Sequence, residues 1–211
     1  MALHIFRLIV FCCLSLPFLV QATHNRAGEI TYSHISGNKY RFTVTTYTEI
    51  GGNQADRPFI PISWGDNTGS DSIQRSNKVK VSDIIQKNTY TQSHTFPGPG
   101  RYVISMLDPN RNADIENIEN SVNIPFYIES VLIIDPLTGG TNNSVQLLNP
   151  PIDNACGGIP FTHNPTAWDP DGDSLVFSLA PCKGSGGVVL SGFSWPPAAN
   201  QLTIDPVTGT F

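Results

Sequence analysis

The sequence predicts an all-β chain made of two successive modules, and three observations carry that reading. Charged residues are 14% of the 211, while Gly numbers 18 and Pro 17. Such a mixture suits many short strands joined by turns and works against helix bundles and coiled coils. Apolar and polar residues alternate with a period of two in several stretches, as strands with one buried face require. The third observation is the stretch Ala167 to Leu179, AWDPDGDSLVFSL. There Pro170 and Gly172 force a tight turn between Asp169, Asp171 and Asp173, and Leu175, Phe177 and Leu179 then alternate with Ser174, Val176 and Ser178.

Residues 1–22 read as a targeting segment. Arg7 precedes the apolar run Leu8 to Val20, and Val20 and Ala22 supply small residues before a cleavage point. That run is short for a membrane span. The mature chain is expected to start near Thr23, to be secreted or held at the cell surface, and to contain no transmembrane segment. Export leaves Cys156 and Cys182 as a pair in an oxidising compartment. Two cysteines without histidines at ligand spacing do not make a structural zinc site. A Cys156–Cys182 disulfide is therefore expected, closing a loop of about 27 residues for roughly 3.5 kcal/mol on the chain-entropy model.

The first module occupies residues 23–134. Thr23 to Tyr32 reads as an edge-like strand, followed by the turn Ser36-Gly37-Asn38. In Lys39 to Glu49, Tyr40, Phe42 and Val44 share one face and Arg41, Thr43 and Thr45 the other. Phe59 to Trp64 is a further strand, ended by Gly65-Asp66-Asn67. Between 71 and 88 only a short strand near Val79 to Val81 is expected. Thr91 to Phe96 and Arg101 to Leu107 are strands joined by Pro97-Gly98-Pro99-Gly100. A last strand, Ser121 to Ile134, carries Pro125, which places it at an edge or bulge.

Residues 135–150 read as a linker and 151–211 as the second module. Ile134-Asp135-Pro136-Leu137-Thr138-Gly139 recurs 70 residues on as Ile204-Asp205-Pro206-Val207-Thr208-Gly209. In both copies Asp starts a turn, Pro presets φ and Gly takes the left-handed position.

Two stretches have oxygen ligands at spacings that suit calcium. Asp169, Asp171 and Asp173 press three carboxylates into five residues, where a hard cation would relieve their repulsion. Asp153 or Asp205 could add a ligand. Counting from Asp108, oxygen side chains fall at positions 1, 3, 5, 7, 9 and 12, which names Asp108, Asn110, Asn112 and Asp114 first and then Glu116 and Glu119. Ala113 stands where an EF-hand needs glycine, and a strand precedes the loop instead of a helix, so a polar connecting loop is the competing reading.

Trp64-Gly65-Asp66, His94-Thr95-Phe96 and Gly100-Arg101-Tyr102-Val103-Ile104 resemble the polycystic-kidney-disease (PKD) type of immunoglobulin-like β-sandwich. The resemblance implies that Trp64 and His94 pack or hydrogen-bond between strands. The order AWDPDGDSLVFSL then LTIDPVTGTF resembles cadherin-like modules of the dystroglycan type. In that family further strands follow the TG turn, so the resemblance implies a truncated second sandwich. Across most of its length, through THNRAGEITY, HTFPGPGRY, NSVNIPFYIES, LLNPPID and DPDGDSL, the chain is similar to N-terminal regions of Bacteroidetes surface proteins. That group is associated with gliding motility and type IX secretion.

Function classes are bounded as well. A net charge of −5 without a basic stripe argues against nucleic acid. No G-x-S-x-G elbow, H-E-x-x-H or phosphate loop is present. His24, His34, His94 and His163 are scattered, so no catalytic residue is expected. The expected role is a non-enzymatic structural or adhesive surface module stiffened by calcium, with an extracellular protein or polysaccharide as partner. The alternative is an ancillary glycan-binding module of a secreted hydrolase, using Trp168, Trp195 and Tyr127, although packing is the expected role for each of these aromatics.

Overall fold

In a computed structural model, the described residues are 25–51, 56–109, 111–138, 141–151, 156, 158–196 and 202–211. The targeting segment 1–22, Asn110 and Asp153 lie outside them.

Seven antiparallel strands form one continuous sheet that doubles back on itself. They are β1 (Asn25–Ser36), β2 (Lys39–Glu49), β3 (Phe59–Ser63), β4 (Ser70–Lys80), β5 (Ile85–Thr95), β6 (Gly100–Asp108) and β7 (Phe126–Ile134). Their spatial order is β1-β2-β5-β4-β3-β6-β7. The strand β4 makes the fold double over. Ser70 to Gln74 pair with β3, whereas Arg75 to Lys80 pair with β5, and the register breaks between Arg75 and Asn77. A bulge bends its strand and raises the local twist, which lets one strand serve two layers.

Alternation explains which side chains fill the space between the layers. Tyr40, Phe42 and Val44 of β2 are fully buried, as are Ile62, Ile104 and Leu132 from the facing layer. They join Trp64, Phe96 and Tyr90 in one apolar cluster. Tyr32 spans the gap, its hydroxyl donating to the Val131 carbonyl at 3.1 Å. The PGPG turn is tied in the same way, with the Tyr102 hydroxyl donating to the Gly98 carbonyl at 2.8 Å.

Several strand boundaries differ from expectation, and β1 runs on past Tyr32 to Ser36. The sequence shows a weak strand between 71 and 88, yet β4 is 11 residues long and β5 begins at Ile85. Most of β4 is exposed, with Ile73 its buried residue, so little alternation was there to read. The strand expected from Ser121 begins at Phe126, because Ser121–Asn123 is a 3-10 turn entered through left-handed Asn120. Pro125 stands just before β7, at an end of the strand order, where its missing N–H leaves no ladder position unfilled.

Beyond Ile134 the described residues make little regular structure of their own. A two-residue ladder pairs β8 (Gln146–Leu147) with β9 (Ala167–Trp168). Leu175, Phe177 and Leu179 are half-buried while Ser174, Val176 and Ser178 are exposed, the alternation the sequence predicts. No ladder forms there among the described residues. The segment is extended, with the Phe177 amide donating to Pro206 O at 3.0 Å. Among the described residues no helix is long and apolar enough to cross a membrane.

Candidate functional site

The first cluster of polar chemistry lies at the turn after β3. The Trp64 ring stacks on His94 with centroids 4.5 Å apart and 9° between planes. His94 Nε2 lies 2.7 Å from Asp66 Oδ2, and Thr68 donates to Asp66 Oδ1 from both its amide and its hydroxyl. The Trp64 indole N–H donates to Asp71 at 2.8 Å. Burial pushes the Asp66 carboxyl up, but the bonds from Thr68 and His94 outweigh it and hold the group below the usual carboxylate range. The Asp66 side chain is fully covered, and Trp64 is 1% exposed. This is the packing role the sequence implies for Trp64 and His94.

The acidic turn is the candidate functional element, because it joins the C-terminal segment to β1. Gly172 takes φ 81°, and Asp169 Oδ1 accepts from the Asp171 amide at 2.8 Å, closing the turn from inside. Asp171 points the other way. It accepts from the Asn143 amide at 2.6 Å and from Asn143 Nδ2 at 2.7 Å. Asn143 Oδ1 in turn accepts from the His34 amide at 2.9 Å. Next to it, Ser144 Oγ accepts from the Tyr32 amide at 2.8 Å, and the Ser144 amide donates to the Tyr32 carbonyl at 3.0 Å. Residues 143 and 144 thus occupy backbone groups along the outer edge of β1, groups that an edge strand otherwise offers to another chain. Asn143 and Ser144 were not legible as site residues. They sit in a polar stretch that reads as linker.

Within the turn Asp169 is half-buried, while Asp171 and Asp173 are exposed. Among the described residues no three His, Cys, Asp or Glu side chains converge on one point. Asp205 does not join them through any described contact. Its Oδ1 accepts from the Val207 and Thr208 amides, each at 2.8 Å, and these bonds hold its carboxyl low. Asp135 repeats the aspartate's part of this pattern, accepting from Leu137 N at 2.8 Å, while Gly139 lies outside the described residues.

The 108–119 loop is arranged differently from an EF-hand. Asp108 ends β6 and is buried, and Arg57 donates to it through Nε at 3.2 Å and Nη2 at 3.4 Å. Asn112 donates to Glu49 at 3.0 Å, and Asp114 is exposed with φ 56°. Asp108, Asn112 and Asp114 therefore face separate partners or solvent.

Cys156 and Cys182 are both free thiols, so the disulfide expected between them is not formed in this structure. Cys156 is exposed, and Cys182 is half-buried beside the Arg111 guanidinium. Trp168 and Trp195 also depart from expectation. They are 56% and 50% exposed instead of packed. Trp195 meets Phe193 edge-on at 5.3 Å. Compared with known protein families, curated proteins and solved structures, the chain matches none.

Proposed function

We propose that this chain is a non-enzymatic structural or adhesive module of a secreted or cell-surface protein, built of two immunoglobulin-like units. One observation carries the reading: its polar clusters are spent on joining elements together. Trp64, His94 and Asp66 lock the β3 turn to β5, and Asp171 fastens Asn143 to the edge of β1. The motif likenesses to PKD-like and cadherin-like modules, and to gliding-motility-associated surface proteins, point the same way. Calcium is the proposed cofactor of the acidic turn, where it would screen Asp169 and Asp173 and stiffen the fastening Asp171 makes.

Calcium titration calorimetry on the mature chain tests this, paired with substitution of Asp169, Asp171 and Asp173 by Asn. Binding that disappears in the triple variant, with a melting temperature that falls on chelation, supports a calcium-stiffened module. A melting temperature indifferent to chelator removes calcium and leaves the hydrogen-bonded clamp alone.

The exposed indoles favour a second reading, an ancillary glycan-binding module. Trp168 and Trp195 are about half exposed, and exposed aromatic rings can stack on sugars. Retention on insoluble polysaccharide that is lost in Trp168→Ala or Trp195→Ala would establish it.

A further inference from the structure

A cleft of about 310 Å³ opens where β1 and β7 approach each other beneath the returning segment. Ala27, Phe126, Ile128 and Leu147 give it apolar walls, and Arg26 and Lys183 stand in its lining. Arg111 lies in the same lining and is only 8% exposed. Its guanidinium sits 5.5 Å from the Phe126 ring centroid, and Nη2 donates to the Pro125 carbonyl at 3.2 Å. Nε finds no acceptor among the described residues. No carboxylate among them pairs with this guanidinium; its remaining described neighbour is the Cys182 sulfur.

Burying a cation without an anion is costly, and the cost is recovered when an anion arrives with good geometry. The other cations of the lining are already engaged, Lys183 with Glu129 at 2.5 Å and Arg26 with Glu49 at 3.6 Å. Glu29 is the carboxylate of the described lining, and no ion pair or hydrogen bond between it and Arg111 is seen among the described residues; burial pushes its carboxyl up, with Lys87 opposing. We infer that the cleft is a binding site for a small organic carboxylate with an apolar body, its carboxylate received by Arg111 and its body by Phe126, Ile128 and Leu147. A volume near 300 Å³ is at the small end of ligand pockets and admits a ring or short chain.

The test is a titration of the full mature chain with benzoate, benzamide and glucuronate, followed by calorimetry and amide NMR shifts. Benzoate is expected to bind and to move the amides of Ala27, Phe126 and Ile128. Benzamide, the same shape without charge, is expected to bind about tenfold more weakly or worse. Glucuronate, a carboxylate with a polar body, is expected to be the poorer of the two acids. Arg111→Gln, checked for a native amide spectrum, should lose benzoate binding; should it fail to fold, the benzoate–benzamide comparison on the unaltered chain decides. Equal binding of acid and amide, no shift at the solubility limit, or shifts confined elsewhere would overturn the site. Tighter binding of glucuronate would overturn the apolar body.

Discussion

Asn143 gives two hydrogen bonds to the carboxylate of Asp171, from its amide at 2.6 Å and its side chain at 2.7 Å, while its own Oδ1 accepts from the His34 amide of β1. One side chain thereby connects an acidic turn to the edge of a sheet, and the neighbouring Ser144 completes the seam at Tyr32.

Ser144→Ala is the cleanest way to weigh that seam. The Ser144 side chain is buried, and its loss strips the Tyr32 amide of its acceptor. An unsatisfied buried donor costs about 1–3 kcal/mol, which urea unfolding would register as a lower midpoint at unchanged slope. A change within error would mean that the seam contributes nothing to the stability of the fold.

Asp108→Asn separates a structural role from a calcium role. The Asp108 side chain is 4% exposed and Arg57 is its charged partner. Removing the charge leaves the guanidinium half-compensated, and a loss of about 2 kcal/mol is expected in calcium-free buffer. A variant as stable as the parent without calcium, yet deficient in calcium binding, would reverse this assignment.

Acid should weaken the fold through Asp56 and Asp66. The bidentate contact with Arg75 holds Asp56 at about 2 against an ordinary 3.8. Since the folded state favours the ionised form, its contribution is full above pH 3.8 and is lost as pH falls toward 2. Asp56 is half exposed, so solvent screening keeps its contribution small. Asp66 is covered and also held below its ordinary value, so it acts with the same sign. Asp66→Asn and Asp56→Asn should each flatten the acid limb of a stability–pH curve. An unchanged limb in both variants would show that other carboxylates govern acid unfolding.

Gly65→Ala should be among the most damaging single changes. Gly65 takes φ 74°, and a Cβ there would stand 2.5 Å from the Val103 carbonyl oxygen of β6. Backbone strain and the steric clash together should exceed about 2 kcal/mol, read as a melting temperature lower by several degrees. Gly37→Ala also sits at a positive φ, 53°, with open space around it, and its smaller loss would isolate the clash.

What the sequence determined by itself was local. The alternation of Tyr40, Phe42 and Val44 places one face inside, Pro97 to Gly100 can only turn, and Asp205 and Asp135 carry the oxygen that caps their own turns. Each of these depends on neighbours within a few positions, and steric and hydrogen-bonding rules act at that range. Through resemblance Trp64 and His94 were each legible as packing or hydrogen-bonding between strands, whereas their stacking on one another was not. The tertiary structure decided the rest. That β4 serves two layers follows from pairing with β3 on one half and β5 on the other, which its polar sequence does not announce. Leu175 to Leu179 has the right alternation, but a ladder also requires a neighbouring strand, and a periodic sequence cannot supply one. Asp108 has the spacing of a calcium ligand and instead meets Arg57, because β3 and β6 lie side by side. Asn143, Ser144 and Arg111 gain their roles from residues 28 to 112 positions away or from a cavity wall, and pairings at that range are set by how the sheet folds over.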